Sequence, residues 1–196
     1  GIWGGEARRY ASIKFFLYTR AGSLAMLLGF LGLYLAMEPH TFSLPAIVAA
    51  QPLANAPTAA AAVFFALLLG FGVKLPTFPL HNWLPDAHVE APTEGSVVLA
   101  GLQLKMGAYG LIAILLPALP NAAMRFGWIV VALALLSLLY GAFAALAQTD
   151  LKRLVAYTSV NHMGYVMPAV AVAGLAVNEG ARHAAVRGAT GPRVVR

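Results

Sequence analysis

The chain has 196 residues, of which 60% are apolar and only 10% charged, and its mean hydropathy is +0.77. Soluble domains are about half apolar and a quarter charged, so this composition excludes an ordinary soluble domain and places the chain in a bilayer. Cysteine is absent, which excludes both a disulfide framework and a thiolate metal site.

A helix needs about 20 apolar residues to cross roughly 30 Å of hydrocarbon. Five stretches reach that length: 11–37, 58–80, 96–116, 126–148 and 154–177. The expected fold class is all-α, a polytopic transmembrane helical bundle over residues 1–177, followed by a basic tail at 178–196. Gly1 opens a polar, basic stretch rather than the short apolar region of a cleavable signal peptide. A start without methionine points to a chain that is not complete.

Arg8 and Arg9 stand just ahead of the first span, and Lys14 and Arg20 in its first turns can snorkel back to the same surface. By the positive-inside rule that end faces the cytoplasm. The connection 38–57 carries no Lys or Arg and reads as the opposite side. The connection 81–95 then returns to the cytoplasm, 117–125 lies outside with Arg125 against the rule, and 149–153 lies inside with Lys152 and Arg153. The tail, rich in Gly, Ala and Arg without helical periodicity, is expected to be disordered. No nucleic-acid recognition motif accompanies its charge, so nucleic acid is not an expected partner.

The second span carries Pro76 and Pro79, each without an amide donor and each clashing with the carbonyl four residues back. Gly70 and Gly72 weaken the helix further, so an interruption is expected near 72–76. Unpaired backbone at membrane depth is tolerated only where it is buried in protein or lines a wet cavity. Lys74 sits inside that interruption. Two readings of it stand side by side: a lysine snorkelling to the cytoplasmic interface, and a buried amine at a functional break.

Lys105 lies about eleven residues from Glu94 and from Leu116, too deep for its stem to reach either surface. A charge at that depth costs on the order of 3 kcal/mol on insertion scales. No Asp or Glu occurs inside the five stretches. Either the amine is neutral, or its carboxylate partner and water come from outside this chain. Bringing a lysine from a pKa of ~10.4 to ~7 takes about 4.6 kcal/mol of differential interaction, and a group poised there takes and releases protons.

In the fifth span Thr158, Asn161, His162 and Tyr165 fall at i, i+3, i+4 and i+7, one polar stripe on an apolar helix. His162 lies roughly 12 Å into the span at the helical rise. A lone histidine is more often a satisfied core residue; a histidine in a polar stripe, alongside two intramembrane lysines, points to a proton relay. Lys105 is expected to face the interior, toward this stripe. His81, Asp86 and His88 raise the question of metal ligation, but the intervening Trp83-Leu84-Pro85 and the lack of a tetrahedral set favour a structural connection. Glu90 and Glu94 suit the end of one helix and the N-terminus of the next.

The run from Phe71-Gly72-Val73-Lys74-Leu75-Pro76 through His81-Asn82-Trp83-Leu84-Pro85-Asp86-Ala87-His88 resembles the signature of the antiporter-like membrane subunits of respiratory complex I. Lys105-Met106-Gly107-Ala108-Tyr109-Gly110 and the stretch from Asp150-Leu151-Lys152-Arg153 to Asn161-His162-Met163-Gly164-Tyr165 are similar to the same family, as are Ile2-Trp3-Gly4-Gly5 and Lys14-Phe15-Phe16-Leu17-Tyr18-Thr19. The resemblance covers about residues 2–173. It implies helices six to ten of about fourteen, in a fold of two inverted five-helix repeats with broken helices. It also implies that Lys74, Lys105 and His162 form a proton relay, and that Lys74 pairs with a glutamate on a fifth helix absent from this sequence.

The function implied by the resemblance is that of a proton-translocating membrane subunit of an NADH:quinone oxidoreductase in the bacterial inner membrane. Its partners are other membrane-arm subunits and the lipid bilayer. No cofactor is expected on this chain; NADH, FMN, iron-sulfur clusters and quinone belong to the assembled complex. A subunit of a multi-subunit cation/proton antiporter or membrane-bound hydrogenase is the rival reading, and an inactive truncated fragment the third.

Overall fold

The structure, a computed structural model, describes residues 4–168. Helix α1 spans Arg8–Leu35, α2 Leu44–Ala50, α3 Pro57–Lys74 and α4 Trp83–Glu90. Helix α5 spans Thr93–Ala118 and α6 Pro120–Leu146. Helix α7 covers 151–168 of the described residues, among which there is no strand. Four of these helices, α1, α3, α5 and α6, are long and apolar enough to cross a membrane. The fold is therefore all-α and built of membrane-length helices, as composition required. The end of the expected fifth span and the tail at 178–196 lie outside the described residues.

Several boundaries differ from those read off hydropathy, each for a local reason. The second span does not run to residue 80; α3 stops at Lys74. Leu75 still donates to Phe71 O, but Pro76 has no N–H for the carbonyl of Gly72, and Thr77 takes that carbonyl instead through its N–H and hydroxyl. The fourth span starts at Pro120 rather than 126, because proline at the first helical position has its φ already set and loses no bond. That narrows the turn between α5 and α6 to Leu119. Asp150 caps α7, its Oδ1 accepting from the N–H groups of Lys152 and Arg153.

The packing face of α1 is built largely of small residues. The buried positions of α1 are Ala11, Gly22, Gly29 and Leu33, a single stripe, while Leu24, Leu27, Leu28 and Leu31 point away from the bundle. A Cβ on Gly22 would stand 2.8 Å from Val73 Cβ. In a bilayer, burying leucine against another helix gains little over leaving it elsewhere in the hydrocarbon, so close backbone approach supplies the attraction. Gly141 of α6 does the same against the backbone of Asn161 in α7, at 2.8 Å.

The segments around residues 4–8, 86–91 and 150–153 meet at one end of the bundle. Gly4 and Gly5 lie against Glu90, and Lys152 Nζ donates to the carbonyls of Val89 and Ala91. At the other end, Gln51 and Leu53 approach Ala118 to Ala122. An apolar core of Phe64, Leu67, Phe71, Leu75, Leu111 and Leu115 joins α3 to α5 between these ends.

Candidate functional site: the end of α3 and the helices beside it

The chain leaves α3 at Lys74 and makes turns over residues 75–82 before entering α4. An α-helix ends with four carbonyls that have no partner inside the helix. Here the carbonyl of Phe71 accepts from Leu75 N at 2.8 Å, and that of Gly72 from Thr77 N at 3.1 Å and Thr77 Oγ1 at 3.2 Å. The carbonyl of Val73 accepts from the indole Nε1 of Trp83 at 3.0 Å. The turns are pinned to α6, where Ser137 Oγ accepts from Phe78 N at 2.7 Å. Three of the four terminal carbonyls thus find protein donors, in keeping with what irregular backbone at membrane depth requires.

Lys74 is half-buried at this break, and its neighbour Leu75 is fully buried against α5. A Cβ on Gly107 would come 2.9 Å from Leu75 N, so the backbone of α5 passes directly beside the end of α3. Lys105 belongs to that same turn of α5, between two π-helical segments, Leu99–Gln103 and Leu111–Leu115. Such segments concentrate at functional sites, because an extra residue in the turn loosens the backbone ladder.

Lys105 does not face the interior of these helices, contrary to the expectation from depth. Leu104, Gly107 and Leu111 fall at i, i+3 and i+7 and are buried, which turns Lys105, Tyr109 and Ile112 to the exposed face. His162 is exposed as well. The polar stripe of α7 divides: Asn161 backs onto Gly141, whereas His162 and Tyr165 point outward. Lys74, Lys105 and His162 make no side-chain hydrogen bond or ion pair among the described residues. The helices of Lys105 and His162 nevertheless share one apolar cluster, in which Leu104 of α5 and Val160 of α7 meet Trp83 and Leu84 of α4.

Residue-by-residue reading of the sequence missed the polar frame around α4. Lys14 does more than snorkel; its Nζ lies 2.7 Å from Asp86 Oδ2 across 72 residues of chain. Lys152 sits at the carbonyl end of α4, where the helix dipole favours a cation. Charge placement in sequence hinted at neither partner, since both pairings depend on how the helices pack.

Asp86 is engaged by Lys14 and does not converge with His81 and His88. Among the described residues no three His, Cys, Asp or Glu side chains form a metal cage. His81 is 1% exposed and packs on Tyr140 at 4.8 Å between ring centroids, with neither ring nitrogen hydrogen-bonded among the described residues. Burial, and secondarily the Lys14 ammonium, hold its pKa below the ordinary histidine range. Burial and the charge of Lys152 do the same to His88. Both connecting histidines are thereby favoured in the neutral form.

Comparison with known proteins bears on this arrangement of interrupted helices and lysines. Residues 1–185 match the family described as NADH:quinone oxidoreductase/Mrp antiporter, TM. The chain is 46% identical over 167 residues to NADH-quinone oxidoreductase subunit M of Rickettsia typhi, covering 85% of this chain and 33% of that protein. It is 48% identical over 179 residues to NAD(P)H-quinone oxidoreductase chain 4 2 of Thermosynechococcus vestitus, covering 90% of this chain and 33% of that one. It superposes on a chain of respiratory complex I from Thermus thermophilus with bound NADH at a TM-score of 0.75 and 38% identity, covering 83% of this chain and 34% of the other. The chain spans about a third of the length of the curated relatives it matches. With a family match over nearly all of the sequence, and helices that superpose on a solved complex I chain, the protein belongs to the NADH:quinone oxidoreductase/Mrp antiporter membrane family.

Proposed function

We propose that this chain is part of the proton-translocating membrane subunit of an NADH:quinone oxidoreductase, with Lys74, Lys105 and His162 as proton-carrying groups. The observation that carries the reading is Lys74 at the end of an interrupted membrane helix, with Gly107, in the π-flanked turn of α5 that also bears Lys105, packed against that interruption. The identity to subunits named M or chain 4 favours the oxidoreductase over a cation/proton antiporter of the same family. In this reading NADH oxidation, FMN, the iron-sulfur clusters and quinone reduction reside on other subunits. Other membrane-arm subunits and lipid surround the chain in a bacterial inner membrane.

Proton carriage by Lys74 needs an amine that gains and loses a proton while the complex turns over. In inverted membrane vesicles holding the complete complex, Lys74→Ala is expected to lower NADH-driven acidification of the lumen at least about tenfold, a positioned acid-base group contributing about 10²–10⁴-fold. NADH oxidation with an artificial acceptor should be unchanged. A variant that acidifies the lumen at the wild-type proton-to-electron ratio sinks the role of Lys74. Acidification that instead follows an imposed Na⁺ or K⁺ gradient without NADH favours the antiporter.

The same reading sets the orientation. The end of the bundle holding Arg8, Glu90 and Lys152 is assigned to the cytoplasm by the positive-inside rule. Glu94 is exposed at that end, and the chain has no cysteine to interfere. Glu94→Cys should react with an impermeant maleimide in inverted vesicles and resist it in intact cells. The opposite pattern reverses the topology.

A further inference from the structure

The residue that fixes the end of α3 is not on α3. The Val73 carbonyl and the Lys74 nitrogen share one planar peptide unit, and among the described residues the side chain bonded to that unit is the indole of Trp83, at 3.0 Å. An indole N–H only donates, so Trp83 reads this carbonyl and nothing else. Its ring is 0% exposed and is held on several sides by Phe15 of α1, at 5.3 Å between ring centroids, and by the cluster containing Leu104 and Val160. The helix that carries it is tied at both ends by cations from other helices. Lys14 of α1 pairs with Asp86 in the first turn of α4, and Lys152 of α7 reaches the carbonyls of Val89 and Ala91 at its end.

We propose that Trp83 is a positioning residue for Lys74: its indole N–H sets the peptide plane from which the lysine departs, and the Lys14–Asp86 pair keeps the indole in place. The proposal rests on the reading of Lys74 as a proton carrier. Because Pro76 has no N–H, Thr77 turns its own to the Gly72 carbonyl, which leaves the Val73 carbonyl to the indole; without the indole that peptide unit loses this anchor and can rotate. That rotation redirects the Lys74 side chain. Leu104 shares the apolar cluster with Trp83 and immediately precedes Lys105, so displacement of the indole also reaches the turn of α5 that bears the second lysine.

The test uses the complete complex in inverted vesicles. Trp83→Phe keeps an aromatic ring and removes the donor. Assembly and NADH oxidation with an artificial acceptor should stay at wild-type levels, while proton pumping per electron falls roughly three- to tenfold, the scale of one hydrogen bond's net worth. The pH optimum of pumping should move, which loss of packing alone would not cause. Lys74→Ala is measured beside it. If Lys74→Ala leaves pumping intact, the proton-carrier reading fails. If Lys74→Ala lowers pumping but Trp83→Phe keeps the wild-type ratio and pH profile, Trp83 only packs, and the positioning role is overturned. Should Trp83→Phe fail to assemble, Lys14→Met and the exchanged pair Lys14→Asp with Asp86→Lys are read in the same assay. Partial loss in the first and recovery in the second support the proposal; wild-type pumping in Lys14→Met overturns it.

Discussion

Replacing Lys105 by alanine in the complete complex is expected to cut NADH-driven proton pumping at least about tenfold, and replacement by arginine to be at least as damaging. Lys105 stands in the middle of the 26-residue α5, with about 18 Å of helix between it and Thr93 at 1.5 Å per residue. No lysine stem covers that distance, so snorkelling does not relieve the charge. The side chain is exposed on this set of helices, and it has no acid beside it among the described residues. Alanine removes the titratable group; arginine holds a charge it cannot release. Proton-to-electron ratio in vesicles, with assembly checked on native gels, is the measurement. An alanine variant that assembles and pumps normally makes Lys105 a packing lysine.

The second large effect is steric. A Cβ on Gly110 would lie 2.1 Å from Cε1 of Phe71 and 2.5 Å from Cδ1, and that ring is 4% exposed. Phe71 also packs edge-on to Phe30 of α1, at 6.5 Å between centroids, so it has little room to withdraw. Gly110→Val should therefore force α3 and α5 apart, at a cost of about 1–3 kcal/mol or more. The expected result is a fall in assembled complex on native gels, with Gly110→Ala milder and Phe71→Leu partly rescuing the alanine variant. Normal assembly of Gly110→Val would mean that the two helices do not cross at this point.

The place of Lys74 was legible in the sequence because its cause is local. Two prolines and two glycines within a few residues weaken the helix whatever surrounds it, and α3 ends where they predict. The depth of Lys105 was legible for the same reason, since depth is a matter of counting. Its direction was not. Leu104 and Lys105 are adjacent, and which of the two turns inward depends on where Gly107 and Gly110 let α3 approach. The π-helical segments that flank Lys105 leave no mark in a run of apolar residues. The ties on α4 were invisible for a different reason: Lys14 and Asp86 are 72 positions apart, and each alone looks like an ordinary charge near the interface. Trp83 looks like a structural spacer in the sequence, because nothing in its neighbours announces an acceptor ten residues earlier.

The division of α1 into a face of small residues and a face of leucines separates two jobs usually carried by the same side chains. Leu24, Leu27, Leu28 and Leu31 supply the greasiness that lets the segment enter a bilayer, and any comparable apolar residue serves there. Gly22 and Gly29 add almost nothing to that step, yet a methyl group on Gly29 would stand 2.6 Å from Leu67 Cγ. Errors on the first face keep the helix out of the membrane, where quality control meets an exposed hydrophobic segment. Errors on the second produce a helix correctly threaded across the bilayer with no neighbour to hold, a defect that no measure of hydrophobicity would detect.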